Sequence, residues 1–344
     1  MSADVSSISS RDEPGTVGEA PRIAVVVPCY NEEMTIGKVV SGFRQALPEA
    51  EIHVYDNNSR DNTVAAARAA GAIIGIETRQ GKGNVVRRMF SDVEADIYLL
   101  VDGDDTYDPA AARRMIDLIL SRDLDFVNAA RAAEPGCRSR PGHAFGNRVL
   151  SGLVKIIFGA GVDDMLSGYK AFSRRYVKSF PAFSRGFEIE TELTVHALEL
   201  RMPIGEVTAP YRDRPEGSSS KLGTFRDGWK IIATIFTLVR DERPLAVFSL
   251  IGGVLILTAL VLMIPVFGTW AETGKVPRFP TAILASAMTL AGLLSISAGL
   301  VLDTVTRGRK EMKRMFYLLH SAPPPRLAAR RSGAVVVPPP AAGG

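Results

Sequence analysis

Ile97-Tyr98-Leu99-Leu100-Val101-Asp102-Gly103-Asp104-Asp105 is an apolar run stopped by an acidic turn. A short apolar run bounded by a turn signal reads as a buried strand. In extended backbone, side chains two apart share a face. Asp102 and Asp104 can therefore share one hard cation, with waters and diphosphate oxygens completing its shell. Gly103 removes the side chain that would obstruct a close-lying sugar or diphosphate. A solvated acidic turn would read the same in isolation. The position gives the turn its meaning, because ligands of open α/β sheets lie beyond the carboxyl ends of strands.

Upstream, Ile23 to Val27 is a β-branched run ending at Pro28, and Ile52 to Tyr55 and Ala72 to Ile76 also predict strands. Helices are predicted at Asn31 to Leu47, with Glu32 and Glu33 near its positive end, at Asn62 to Ala70, and from Gly81 toward Val93. Downstream come a helix from Ala110 to Leu120, a strand at Asp125 to Asn128 and a loop over Ala132 to Gly142. A helix at Phe145 to Phe158, a strand region at Met165 to Phe172 and a helix at Glu188 to Leu200 follow. Strands alternating with helices at this spacing imply an α/β fold, with a mostly parallel sheet covered on both faces.

Two stretches, Leu245 to Phe267 and Thr281 to Leu302, carry no charge and exceed the roughly 18-residue threshold for a membrane-spanning helix. A buried core hairpin is the competing reading. Arg240 and Arg243 precede the first stretch, and Arg307, Arg309, Lys310, Lys313 and Arg314 follow the second. The positive-inside rule then places the large domain and the C-terminus in the cytoplasm, and the expected location is a bacterial-type plasma (inner) membrane. The expected organisation is a disordered leader at 1–21, a catalytic domain at 22–223 and an amphipathic juxtamembrane helix at 224–243. Two spans within 244–303 and a basic, then Pro/Ala-rich tail at 304–344 complete it.

Across 344 residues, 46% hydrophobic content and a mean hydropathy of +0.10 support a packed core plus the apolar C-terminal segments. Cys29 and Cys137 are the only cysteines, which argues against a disulfide framework and for a reducing compartment. The net charge of +4, with no basic stripe interleaved with aromatics, gives no nucleic-acid partner.

Other strand ends are also polar. Pro28-Cys29-Tyr30-Asn31-Glu32-Glu33 and Asp56-Asn57-Asn58-Ser59-Arg60-Asp61 could bond a base and ribose, or Asn31 and Ser59 could cap helices. Gln80-Gly81-Lys82-Gly83-Asn84 suits phosphate approach at a helix start, but lacks the P-loop spacing. Arg131, Arg148, Arg214 and Lys221 fall in loops or at helix ends after the acidic turn, where a planar guanidinium suits phosphate. Arg148 alone also reads as a surface charge. Glu188, Glu190 and Glu192 read as surface or helix-dipole residues, and His143 and His196 have no metal-like spacing.

These pieces in this order resemble family 2 glycosyltransferases of the GT-A, Rossmann-like fold. The likeness covers about Arg22 to Val239 and is to the polyprenyl-phosphate group, which includes dolichol-phosphate mannose synthase. The resemblance implies that Pro28, Tyr30 and Glu32 line the nucleotide pocket and that Tyr55, Asp56 and Asn57 hold the base. Many relatives carry two acids where this chain has Asp56-Asn57, which bears on base selectivity. It implies Mg²⁺ or Mn²⁺ on Asp102 and Asp104, with Gly103 and Lys82 beside the nucleotide sugar. Arg131 would sit near phosphates, with Arg148 and Ser167 on the acceptor phosphate. Asp164 to Lys170 resembles the acceptor-side segment, and Arg214 and Lys221 would close over the diphosphate from a loop one residue longer than the family's.

The implied partners are a UDP- or GDP-sugar, a polyprenyl phosphate and the membrane. Homo-oligomers stay open, because Gly252-Gly253 and the small residues of the second span allow close helix packing. The implied reaction is an inverting hexosyl transfer. An acceptor phosphate, with a second pKa of about 6, is largely ionised and needs no strong base. Asp104 or Asp164 could still orient it. Two alternatives remain: another lipid or polysaccharide acceptor, or nucleotide-sugar binding without turnover. The Gln-x-x-Arg-Trp motif of processive synthases does not occur in the sequence.

Overall fold

The computed structural model describes residues 20–133, 161–184, 186, 188–212 and 240–323, with single positions 149, 151, 152, 154, 155, 158 and 237. Strands β1 (Ile23–Cys29), β2 (Glu51–Asp56), β3 (Ile73–Ile76) and β4 (Ile97–Leu100) alternate with α1 (Ile36–Ala46), α2 (Thr63–Ala69) and α3 (Lys82–Asp92). Next come α4 (Ala111–Arg122), β5 (Phe126–Ala133), β6 (Lys170–Ser173), α5 (Arg174–Ser179), α6 (Ile189–Glu199) and β7 (Ile204–Tyr211). Two long helices end the described chain, α7 (Pro244–Thr273) and α8 (Phe279–Leu318).

One sheet runs in the order β3-β2-β1-β4-β6-β5-β7. β6 is antiparallel to β4 and β5, and every other pairing is parallel. Both faces are covered, so the central strands bury every side chain: all of β4 and all of β6 are inside. Burying each large apolar side chain contributes about 1.5–3 kcal/mol. One core layer joins the sheet to α1 and α4, with Phe43 and Met115 at its centre. The other joins it to α3, α5 and α6, where Phe126, Phe172 and Tyr176 stack.

The α/β expectation holds, with local differences. α1 starts at Ile36 and not Asn31, because Asn31 is left-handed (φ 53°) and the Glu32 carbonyl accepts from the Thr35 and Ile36 amides in a preceding turn. β5 continues to Ala133, into the stretch read as loop, because its whole length pairs with β7. β7 has no counterpart in the sequence reading. Its Pro210 and scattered polar residues fit an edge strand, which needs no continuous apolar run. The Met165 to Phe172 region forms strand only from Lys170.

α7 and α8 are each long and apolar enough to cross a membrane. They pack as a hairpin through small residues. A Cβ on Gly252 would lie 2.6 Å from the Gly292 carbonyl oxygen, and Ser295 donates to the Phe248 carbonyl at 2.9 Å. Gly252 thus serves a contact within the chain. α8 continues as helix well past the apolar stretch ending at Leu302. The leader before residue 20, the Phe145 to Phe158 helix apart from a few positions, the amphipathic Phe225 to Val239 segment apart from position 237, and the tail beyond Pro323 lie outside the described residues.

Candidate active site

The acidic turn follows β4 at the carboxyl edge of the sheet, between the loop after β1 and the segment that leads into the antiparallel β6. Gly103 is fixed from both sides: its carbonyl accepts from Thr35 Oγ1 at 2.7 Å, and a Cβ there would lie 2.7 Å from Cys29 Sγ. Asp104 is buried and accepts from Thr106 Oγ1 at 2.7 Å. Asp102 keeps 27% of its side chain exposed. Its other wall is Gly168, where a Cβ would lie 2.1 Å from Asp102 Oδ2. Any larger residue at 168 would displace the carboxylate, a requirement that no local sequence pattern reveals.

Lys82, at the start of α3, points into this turn. Its ammonium lies 2.5 Å from Asp102 Oδ1 and 2.6 Å from Glu190 Oε1 on α6. Burial alone would lower the Lys82 pKa, but the two carboxylates outweigh it and hold the group above the ordinary lysine value. Burial also pushes the Glu190 carboxyl up, against the pull of Lys82. Glu190 is therefore a buried member of the site and not a surface residue. Its signal is tertiary, since only the fold brings it to Lys82.

The loops after β1 and β2 are stitched together beside the turn. The Asn31 amide donates to Ser59 Oγ at 2.9 Å, the Arg60 amide to Asn31 Oδ1 at 2.8 Å, and the Glu32 amide to Thr63 Oγ1 at 2.8 Å. Asn31, Asn58 and Asp105 are all left-handed, a conformation that Asn and Asp tolerate better than bulkier residues. Pro28 near the end of β1 and Tyr30 in the loop after it are half-buried, and Glu32 is buried.

Asp56 ends β2, and its Oδ2 accepts from the Ser59 amide at 3.1 Å, while its buried Oδ1 has no hydrogen-bond partner among the described residues. Neighbouring Asn57 spends its side chain on the protein: it donates to the Glu77 and Arg79 carbonyls and accepts from the Gly81 amide. The pleat turns Tyr55 to the other face, where its hydroxyl reaches Asp92 at the end of α3 and burial raises its pKa to about 12.

On the far side of the turn, Arg131 of β5 grips Asp164 in a fork, Nε to Oδ2 at 2.6 Å and Nη2 to Oδ1 at 2.8 Å. Burial works against the Asp164 carboxylate, but the Arg131 hydrogen bonds hold it below the usual range. The guanidinium also lies over the Tyr211 ring, 5.4 Å from its centre. Ser167 is fully buried and receives the Tyr169 amide at 3.2 Å, so its hydroxyl organises the turn into β6. Lys170 beneath it is also fully buried, donating to Asn128 Oδ1 at 2.8 Å, and burial lowers its pKa to about 8. Arg148, Arg214 and Lys221 lie outside the described residues.

Among the described residues, no three His, Cys, Asp or Glu side chains converge as a metal cluster. Asp102, partly exposed, and Asp104, buried, are two hard carboxylates on one turn, and other oxygens would have to complete a coordination shell. That donor set fits Mg²⁺ or Mn²⁺ bound together with a diphosphate. The glycines at 103 and 168 serve close packing, letting the turn lie on Cys29 and the segment before β6 lie against Asp102.

The sequence profile described as glycosyl transferase family 2 matches residues 24–180. Glycosyltransferase AglJ of Haloferax volcanii is 32% identical over 85% of this chain and 97% of its own length. A dolichyl-phosphate hexose transferase of the same organism is 28% identical over 64% of this chain and 95% of its own. Among solved structures, glucosyl-3-phosphoglycerate synthase of Mycobacterium tuberculosis, in complex with Mn²⁺, UDP-glucose and phosphoglyceric acid, superposes with a TM-score of 0.52. It is 24% identical and covers 63% of this chain and 79% of that one.

Proposed function

The chain belongs to glycosyl transferase family 2 and has a GT-A fold, and from that premise we propose that it transfers a sugar from a nucleoside-diphosphate sugar to a polyprenyl phosphate. Transfer takes place at the cytoplasmic face of a membrane that α7 and α8 cross. The observation that carries this reading is one chain holding both a buried lysine against an acidic turn at the carboxyl edge of the sheet and two helices long enough to span. The relative named as a dolichyl-phosphate hexose transferase supports the acceptor class.

Asp56 Oδ1 is a buried acceptor in need of an N–H, and a base ring supplies one. Asp102 and Asp104 would hold the divalent cation, which supplies positive charge to the leaving diphosphate. Lys82 sits within reach of the same phosphates. Glu190 holds it from behind, so Lys82 stays charged and aimed when Asp102 turns to a cation. Arg131, held by Asp164 and Tyr211, presents a fixed guanidinium on the acceptor side.

The acceptor phosphate oxygen attacks the anomeric carbon in line, and the bond from that carbon to the diphosphate oxygen breaks. The electron pair leaves with the nucleoside diphosphate, and configuration inverts. An ionised phosphate carries no proton that must be removed, so positioning and leaving-group stabilisation dominate. Purified protein incubated with radiolabelled nucleotide sugars, undecaprenyl phosphate and Mg²⁺ or Mn²⁺ should yield a lipid-linked sugar. No such product with any common donor would overturn the reading.

A further inference from the structure

The far end of α8 is tied to the catalytic domain at the sheet edge opposite the acidic turn. Tyr317 donates its hydroxyl to Asp125 Oδ2 at 2.8 Å, and the Arg175 guanidinium lies 4.9 Å from the Tyr317 ring centre. One turn earlier, Lys313 Nζ sits 2.6 Å from Glu199 Oε2, on a carboxylate with 1% side-chain exposure. A further turn back, Arg309 and Met312 share a cleft with Phe180 and Phe183.

All of these ties lie at one edge. Asp125 precedes β5, and its amide bonds the Pro203 carbonyl ahead of β7, so it marks the amino edge of the sheet. The cleft belongs to the same edge, because its Lys178 donates to the Phe90 carbonyl and to Glu94, just ahead of β4.

We propose that Tyr317 and Lys313 are positioning residues that clasp α8 to Asp125 and Glu199 and so hold the carboxyl edge of the sheet against the bilayer, at the depth of a lipid phosphate. This rests on the lipid-phosphate reading above. A tether alone would allow the domain to swing. Two ties four residues apart lie on one helix face and oppose both swing and rotation. Neither residue touches the edge site, so their effect on transfer is one of placement.

The test uses full-length protein in phosphatidylethanolamine–phosphatidylglycerol nanodiscs that carry a headgroup quencher. With Cys137→Ser as background and Cys29 buried, a fluorophore goes on Arg60→Cys in the loop after β2, or on Glu51→Cys at the start of β2. Both positions are exposed, at opposite edges of the sheet. The Arg60 label should be quenched several-fold more strongly than the Glu51 label, and Tyr317→Phe with Lys313→Gln should collapse that ratio. Lys313→Arg, which keeps the ion pair, should preserve it. The loosened variant should also lose about tenfold in transfer to a long polyprenyl phosphate in the disc, within what a ~1 Å misplacement can cost. Transfer to a short, water-soluble prenyl phosphate should hold.

Equal quenching at both labels, an unchanged ratio in the loosened variant, or equal loss with both acceptors would overturn the clasp. If the parent protein transfers to neither acceptor, the lipid-phosphate reading fails, and the quenching ratio still decides the clasp independently.

Discussion

Two buried aspartates mark opposite edges of the same sheet, and their surroundings differ. At the amino edge, Asp125 is fully buried and saturated, accepting from Ser173 Oγ at 2.6 Å, from Nε and Nη2 of Arg175 and from Tyr317. At the carboxyl edge, Asp56 is nearly as buried, yet its Oδ1 has no hydrogen-bond partner among the described residues. An unpaired buried acceptor costs about 1–3 kcal/mol, a cost that a ligand donor can remove. Asp125 is used up by the fold's own donors, and Asp56 keeps one oxygen open, which the proposed function assigns to a base.

The sharpest way to break this contrast is Asp104→Ala. Product formation should fall by about 10³-fold, the scale of losing one preorganised electrostatic group. The circular dichroism spectrum should stay parental and the melting temperature fall only modestly, as for a lost buried bond of about 1–3 kcal/mol, and retained turnover would remove the metal assignment. The mirrored pair Asp125→Asn and Asp56→Asn comes next. The first breaks a buried ion pair and should cost about 3–5 kcal/mol in urea unfolding. The second should leave stability unchanged or slightly raised, while donor affinity by calorimetry drops about tenfold for a lost bond near 1.4 kcal/mol. If Asp56→Asn unfolds the protein as readily, the two edges are alike and the contrast is void.

Gly168→Ala sharpens the contrast on the acceptor side. Its methyl would lie 2.1 Å from Asp102 Oδ2, so the carboxylate must move. Overpacking of this kind costs about 1–3 kcal/mol, and the apparent affinity for divalent metal with nucleotide should weaken in step. The smallest expected effect is on pH. Burial lowers the Lys170 pKa to about 8, below its unfolded value of about 10.4. Between those two values the unfolded chain binds the extra proton, so unfolding free energy should rise with pH across that window. Lys170→Met should flatten the rise, and an unchanged slope would mean that Lys170 titrates elsewhere.

The parts legible in the sequence were those encoded locally. The run from Ile97 to Val101 and the acids after it announce both a buried strand and a ligand edge. The uncharged stretches at Leu245 and Thr281 announce two long helices. Features built by juxtaposition stayed hidden. Glu190 looks like a helix-dipole residue until α6 packs beside α3 and brings it to Lys82. Gly168 has no local reason to be glycine until β6 lies against β4. β7 lacks a periodic signal because it is an edge strand, recognisable only from its pairing with β5. Asp56 and Asn57 are adjacent in sequence, yet one is left open and the other is consumed by the backbone at Glu77, Arg79 and Gly81.

The unbroken course of α8 from the apolar stretch to Tyr317 makes its length a matter of phase as well as reach. Each residue advances an α-helix by about 100°. A single insertion between Leu302 and Arg309 would therefore swing Lys313 and Tyr317 around the helix axis by more than a quarter turn, away from Glu199 and Asp125. Seven inserted residues would nearly restore the azimuth but lift the domain by about 10 Å. That stretch should tolerate many substitutions and almost no change in length.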